Sequence, residues 1–317
     1  MESNALNIFV TGGTGFLGER LIRSLVATSN HTVFALARSE TAASKILSIG
    51  AVPIRANLTD AKALQQGLSA QSIEIVFHLA AEIASQRNKS KLRIANVDGT
   101  QYLFDAVKNI TSLKKFIFVS TVVTGEENGT LLEEHNPLHV DTEYGRSKQW
   151  GEKMLLEAFM QSNFPALVLR PCHIYGAGGW FADVVSQLRK GQMRIPGDGK
   201  NWWDVVYVDD VTQALIAVME KGDPGEIFHV CDGHPVTMAD FVAETAAKGA
   251  VKNPGRVPRW LANIVLGRDT VTSVVRSAKT SNTKLKNLGW LPKYPNYHAG
   301  LTRTFAELNQ HSTDKQL

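Results

Sequence analysis

Leu6-Asn7-Ile8-Phe9-Val10-Thr11-Gly12-Gly13-Thr14-Gly15-Phe16-Leu17-Gly18, residues 6–18, decides how the rest of the chain is read. Leu6 to Val10 is a short apolar run and reads as a buried strand. It leads straight into glycines at 12, 15 and 18, and an amphipathic stretch over about 15–27 reads as a helix. Glycine serves three ends in such a turn. It lets the chain bend tightly, lets the backbone approach a pyrophosphate, and lets the helix sit close to the strand. The helix N-terminus then offers N–H groups and a positive dipole end to a phosphate. GxxGxxG alone marks no more than a tight turn; a strand before it and a helix after it make it a dinucleotide loop. The expected contacts there are Gly12, Thr14, Gly15, Phe16, Leu17 and Gly18.

Working outward, apolar runs at 32–36, 52–56, 73–77, 116–119 and 166–169 read as further strands. Helices are expected over about 92–108 and 144–161. Near-continuous apolar strands alternating with helices imply an α/β fold, a doubly wound parallel sheet covered on both faces. After Arg170-Pro171 the pattern breaks into glycine-rich loops around a helix near 181–189. Regular elements return at 205–208, 211–220 and 226–230, and the last eighty or so residues read as mainly helical. The expected organisation is a dinucleotide-binding domain over 1–175, with 209–231 returning to it. A smaller, mainly helical substrate lobe takes 176–208 and 232–317.

The 317 residues are 44% hydrophobic and 20% charged, an ordinary globular composition. The net charge of +4 is scattered without a basic block, so no nucleic-acid partner is expected. Cys172 and Cys231 stand alone, without CxxC spacing or nearby histidine pairs. Neither a disulfide framework nor a metal site is expected, and a reducing compartment fits. Met1 to Asn7 has no basic n-region, and no run approaches the ~18 apolar residues of a membrane span. A cytoplasmic protein acting on a small molecule is the expectation.

The end of the second strand bears on cofactor choice. An NAD site calls for a carboxylate there to hold the ribose 2′-OH; this chain has Ala37-Arg38-Ser39. Arg38 can pair a 2′-phosphate, which favours NADP over NAD; its bland reading is a solvated surface residue. Asn57-Leu58 can reach an adenine, and Leu79-Ala80-Ala81 after His78 are small enough for a cofactor to pass over. Tyr144 and Lys148, at i and i+4 on a helix, face one way. An ammonium beside a phenol favours the phenolate and is expected to lower its pKa, so the pair can exchange a proton with a carbonyl or an alcohol. Ser120-Thr121, past the fifth strand, offers hydroxyls at the same edge of the sheet.

These features together resemble the extended short-chain dehydrogenase/reductase family of the NAD(P)-dependent epimerase/dehydratase type. The resemblance rests on TGGTGFLG (11–18), HLAA (78–81), Asn96 with Gly99-Thr100, the strand-five hydroxyls, YGRSK (144–148), Arg170-Pro171, Tyr207 to Val211, and Gly289 to Pro295. It implies that Asn96 belongs to the cofactor site, that Lys148 also binds the nicotinamide ribose, and that Pro171 with His173 lies beside the nicotinamide. It also implies a homodimer through the helices at about 92–108 and 144–161. Three departures stand out. The hydroxyl loop, Ser120 to Gly125, is short, so strand alignment makes Thr121 the catalytic hydroxyl and alignment on Gly125 makes it Ser120. Asn57 stands where an aspartate is usual. The stretch 200–204, Lys-Asn-Trp-Trp-Asp, lacks the arginine with which nucleotide-sugar enzymes hold a diphosphate.

The resulting expectation is an NADP-dependent oxidoreductase moving a hydride between the nicotinamide and a carbonyl or alcohol carbon. Trp180-Phe181, Met193 and Trp202-Trp203 suggest an apolar substrate of small or medium size, or else simply pack the lobe onto the sheet. An NDP-sugar epimerase using the nicotinamide transiently is the alternative, and a non-catalytic NADP-binding regulator is a further one.

Overall fold

The computed structural model describes residues 5–28, 30–123 and 127–313. Seven strands build the central sheet: β1 (Asn7–Thr11), β2 (Thr32–Ala37), β3 (Val52–Arg55), β4 (Ile75–His78), β5 (Lys115–Val119), β6 (Ala166–Pro171) and β7 (Ile227–Val230). Their order is β7-β6-β5-β4-β1-β2-β3, and β1 runs parallel to both β2 and β4, with Phe9 opposite Phe34 and Val76. Ile8, Phe9, Val10, Val76, Phe77, Phe116, Ile117 and Phe118 are wholly buried. That is why these strands are apolar at every position rather than at every second one. The chain winds outward from β1 to β3, then restarts with β4 on the other side of β1. This reversal opens a crevice at the carboxyl ends of β1 and β4, the general place for a ligand in such sheets.

The chain divides into two compact units. The first comprises 1–121, 143–170 and 212–228; the second comprises 122–142, 171–211 and 229–317. In the first unit the sheet is flanked by α1 (Phe16–Thr28), α2 (Glu40–Ser48) and α3 (Ala61–Ser69). The helix expected over 92–108 is broken into α4 (Lys89–Arg93), one wide π-turn (Ile94–Asp98) and α5 (Gly99–Val107). Two local features accompany the interruption. Asn96 turns inward and is 1% exposed, and a Cβ at Gly99 would stand 2.8 Å from Leu58. The long helix α6 (Glu143–Ser162) follows. A Cβ at Gly151 would lie 2.7 Å from the Phe118 ring, so glycine lets α6 pack directly on β5.

In the second unit α7 (Gly179–Arg189) and α9 (Met238–Lys248) surround an aromatic core, and α8 (Val208–Lys221) begins there. Tyr175 meets Phe181, Tyr207 and Phe241 edge-on, at 5.3 to 5.8 Å between ring centres. Trp180 and Trp203 join this group. Trp202 does not: strand alternation turns it away from Trp203, and it lies under the Lys279 ammonium at 4.3 Å. Asp210 explains the Gly289–Pro295 segment. Its carboxylate accepts the backbone N–H of Lys293 and Tyr294, and its carbonyl accepts the Trp290 indole N–H. The remaining helices are α10 (Arg259–Leu266), α11 (Arg268–Val275), α12 (Thr283–Asn287) and α13 (Tyr297–Thr313).

Candidate active site

β1 delivers the glycine loop to the crevice. Gly12 sits at φ +74°, in the left-handed region, and a Cβ there would lie 2.9 Å from the Ala80 backbone nitrogen. A Cβ at Gly18 would fall 2.2 Å from the Gly12 carbonyl oxygen. These two positions admit no side chain, so glycine here seats α1 against the strand end and leaves its N-terminus facing the loop. Gly15 is exposed, with Phe16 and Leu17 half-buried behind it. The Thr14 carbonyl accepts a hydrogen bond from Lys45 of α2 (3.1 Å), whose ammonium also pairs with Glu19 at 2.8 Å.

Arg38 follows β2 directly and is exposed; Ser39 caps α2 by accepting the Ala42 N–H. Asn57 is exposed after β3, and its side-chain oxygen is engaged by the Thr59 N–H at 3.2 Å. Leu58 is buried. Leu79, Ala80 and Ala81 leave β4 half-buried. His78 is the last residue of β4 rather than the first after it. The cradle is therefore a glycine turn, a helix N-terminus, small residues opposite, and no carboxylate at the end of β2. That set fits a nicotinamide dinucleotide.

A directed hydrogen-bond chain runs beneath the cradle. Thr100 gives its hydroxyl proton to the Asn96 carbonyl (2.6 Å), so it accepts from His78 Nε2 (2.9 Å). His78 Nδ1 then accepts from Thr11 (2.7 Å), whose oxygen accepts the Ala80 N–H (3.1 Å). Burial, with Lys148 nearby, lowers the imidazole to about 3, so it is neutral and its tautomer is set by this chain. The Asn96 amide accepts the Glu82 N–H (2.8 Å) and donates to the Glu82 carbonyl and to Ser147 Oγ (2.9 Å each). Its polar side-chain atoms thus brace the loop after β4 against α6.

Ser147 is the neighbour of Lys148, and α6 brings Tyr144 and Lys148 to the end of β5. The Thr121 side chain hydrogen-bonds the Tyr144 hydroxyl. Ser120 Oγ is buried with no hydrogen-bond partner among the described residues. Of the two hydroxyls left open by alignment, Thr121 is the one that reaches the tyrosine. Thr124 and Gly125 of that loop lie outside the described residues. The expected lowering of the phenol is not met. Burial pushes Tyr144 up to about 12, against the pull of the Thr121 hydrogen bond. Burial also pushes Lys148 down to about 7, opposed by Glu152. The ammonium stands 4.6 Å from the Phe118 ring centre, in cation–π contact.

Glu152 was not singled out from sequence, though Tyr144, Lys148 and Glu152 fall at i, i+4 and i+8 on one helical face. Arg170 of β6 grips its carboxylate through Nε (2.9 Å) and Nη2 (2.6 Å), both side chains being nearly buried. Pro171 and His173 belong to the second unit. There His173 stacks on Trp203 (4.5 Å between centres, 14° between planes) and shares a hydrogen bond with the Asp204 carbonyl. Burial and the nearby Arg276 lower His173 to about 4.

A tyrosine hydroxyl held by a threonine, a lysine one turn on, and a dinucleotide cradle on the same unit can together deliver or remove a proton beside a nicotinamide. Residues 8–231 match the NAD dependent epimerase/dehydratase family, and the chain belongs to it. The chain is 30% identical to a sterol-4-alpha-carboxylate 3-dehydrogenase (decarboxylating) of Dictyostelium discoideum over 77% of each chain. It is 28% identical to the 4-hydroxy-2-methyl-3-oxo-4-farnesyl-3,4-dihydroquinoline-1-oxide ketoreductase of Stigmatella aurantiaca, over 88% of this chain and 85% of that one. Among solved structures, UDP-glucose 4-epimerase of Thermotoga maritima, determined with UDP-glucose, superposes with a TM-score of 0.83. That match has 27% identity and covers 97% of this chain and 100% of the other. The protein is an enzyme of the nicotinamide-dependent oxidoreductase, dehydratase and epimerase group.

The Arg170–Glu152 pair yields a stability prediction. Arg170→Met strands a buried carboxylate and should cost about 3–5 kcal/mol in urea unfolding, with the Arg170→Met/Glu152→Leu double variant recovering most of it. A single variant as stable as the parent would contradict this.

Proposed function

We propose that the protein is an NADP-dependent reductase that transfers a hydride to the carbonyl carbon of a small or medium, apolar organic substrate. The observation that carries the reading is the Thr121–Tyr144 hydrogen bond with Lys148 one turn along the helix. Thr121 anchors the substrate oxygen. Tyr144, protonated at neutral pH, is the general acid in the reducing direction. Lys148 stabilises the developing negative charge on the oxygen and also binds the nicotinamide ribose. Gly12, Thr14, Gly15, Phe16, Leu17 and Gly18 hold the pyrophosphate, Arg38 with Ser39 the 2′-phosphate, and Asn57 with Leu58 the adenine. Leu79, Ala80 and Ala81, braced by Asn96, line the cofactor's path. The bound dinucleotide supplies the hydride.

Three observations support the choice of NADP and of an apolar substrate. Ala37 stands where an acid would exclude a 2′-phosphate, Arg38 follows it, and Lys45 adds a second cation at Thr14. The second unit's aromatic core lies next in sequence to the 200–204 stretch that lacks an arginine. Two of the relatives are named for a sterol carboxylate and a farnesyl-bearing substrate. The likeness to the UDP-glucose 4-epimerase favours a second reading, an NDP-sugar epimerase with transient use of the nicotinamide. We place the enzyme in the cytoplasm; no described helix is long and apolar enough to cross a membrane. We also take it as a homodimer through α4, α5 and α6, where Leu92, Val97 and Trp150 line a groove.

Tyr144→Phe keeps the ring and removes the proton donor. NADPH-dependent turnover should drop about 10²-fold or more with NADPH affinity little changed, whereas near-native turnover would move the proton source elsewhere. In cofactor comparison, NADPH should exceed NADH in kcat/KM by about tenfold, equivalent to about 1.4 kcal/mol, and Arg38→Ala should erase most of that margin. Equal use of NADH by the parent enzyme contradicts the assignment. Calorimetric titration of the NADP-loaded enzyme with UDP, UDP-glucose and dTDP-glucose should show no binding at micromolar concentrations; micromolar affinity for any of them promotes the epimerase reading.

A further inference from the structure

Among the described residues of the second unit, α10 carries a cluster of exposed large apolar side chains. Trp260 is 66% exposed, Ile264 69% and Val265 64%, and Leu261 is also exposed. Trp260 and Ile264 are four residues apart, as are Leu261 and Val265, so these side chains form two adjacent rows on one helical face. Within α10 only Ala262 is buried, packed with Val271, Val275 and Val257. The helix is thus fastened to its unit by its narrow side and turns its broad apolar side to solvent. That is the reverse of a helix that merely closes a core.

The charges around this face are mostly positive. Residues 251–268 contain Lys252, Arg256, Arg259 and Arg268, all exposed, and no acid. The strand 255–257 pairs with 194–196, which sets Arg194 opposite Gly255 and adds a fifth exposed cation. Two acids adjoin the patch: Asp198, which feels Arg259, and Asp269 at the start of α11. Five cations against two acids leave an excess of three positive charges beside the apolar rows. A tryptophan and aliphatic chains on one face, flanked by lysine and arginine, are what a helix lying in a bilayer interface presents. A second copy of the chain is a poorer occupant, because a two-fold contact through this face would bring the two sets of cations together.

We propose that α10 is a membrane-surface element that docks the enzyme on an anionic lipid bilayer. Trp260, Leu261, Ile264 and Val265 enter the headgroup–acyl boundary, and Lys252, Arg256, Arg259, Arg268 and Arg194 meet lipid phosphates and carboxylates. The helix is about 12 Å long, so it lies on the bilayer and does not cross it. The proposal is independent of the reaction at Tyr144.

The test is co-sedimentation of the full chain with vesicles of phosphatidylcholine alone and of phosphatidylcholine with phosphatidylserine. Binding should be about tenfold or more stronger to the anionic vesicles and should weaken as salt is raised. Trp260→Ser/Ile264→Ser should abolish it while leaving circular dichroism and NADPH binding unchanged. Three results would overturn the proposal: no binding to anionic vesicles, binding that the double variant retains, or a concentration-dependent dimer that the double variant dissolves.

Discussion

The buried imidazole of His78 is the joint on which the rest of the site depends. It holds the end of β1 through Thr11, the start of α5 through Thr100, and so the π-turn that aims Asn96 at Ser147. The glycine loop begins one residue after Thr11, and Lys148 follows Ser147. One chain of hydrogen bonds therefore registers the dinucleotide cradle against the helix that carries Tyr144. Such a network holds a single geometry only if every buried member is paired, and a neutral imidazole, with one nitrogen accepting and the other donating, satisfies both sides.

Electrostatics follow from the same packing. Gly151 lets α6 approach Phe118 so closely that Lys148 is buried over the ring. The lysine gives up much of its basicity for this, and the Glu152 carboxylate, itself held by Arg170, restores part of it. An ammonium near its midpoint at neutral pH responds strongly to any negative charge placed beside it. Burial thus lowers the lysine and raises the neighbouring tyrosine, Tyr144.

Much of this was legible in the sequence. The glycine loop, the order of apolar strands and the Tyr144–Lys148 spacing express local rules: backbone conformation, burial on both faces and helical periodicity. What escaped was set by tertiary contacts. The π-turn at 94–98 accompanies the Asn96 bonds and a close approach of Leu58 that only glycine at 99 admits, neither visible in a periodic pattern. The choice of Thr121 over Ser120 depended on where a hydroxyl points, and the rise of the Tyr144 pKa on how much protein surrounds it. Trp202 was grouped with Trp203 by adjacency, although alternation along a strand separates them.

The central claim is that the nicotinamide hydride ends on a substrate carbon with net oxidation of the cofactor. Incubating the enzyme with 4-deuterated NADPH of each stereochemistry and a panel of apolar ketones and aldehydes, and examining the products by mass spectrometry and NMR, tests this directly. The account predicts one equivalent of NADP per turnover and, from one of the two labelled cofactors, one deuterium on the carbinol carbon. Turnover of a nucleotide sugar with no net NADPH consumption, and no deuterium in any alcohol product, would contradict it.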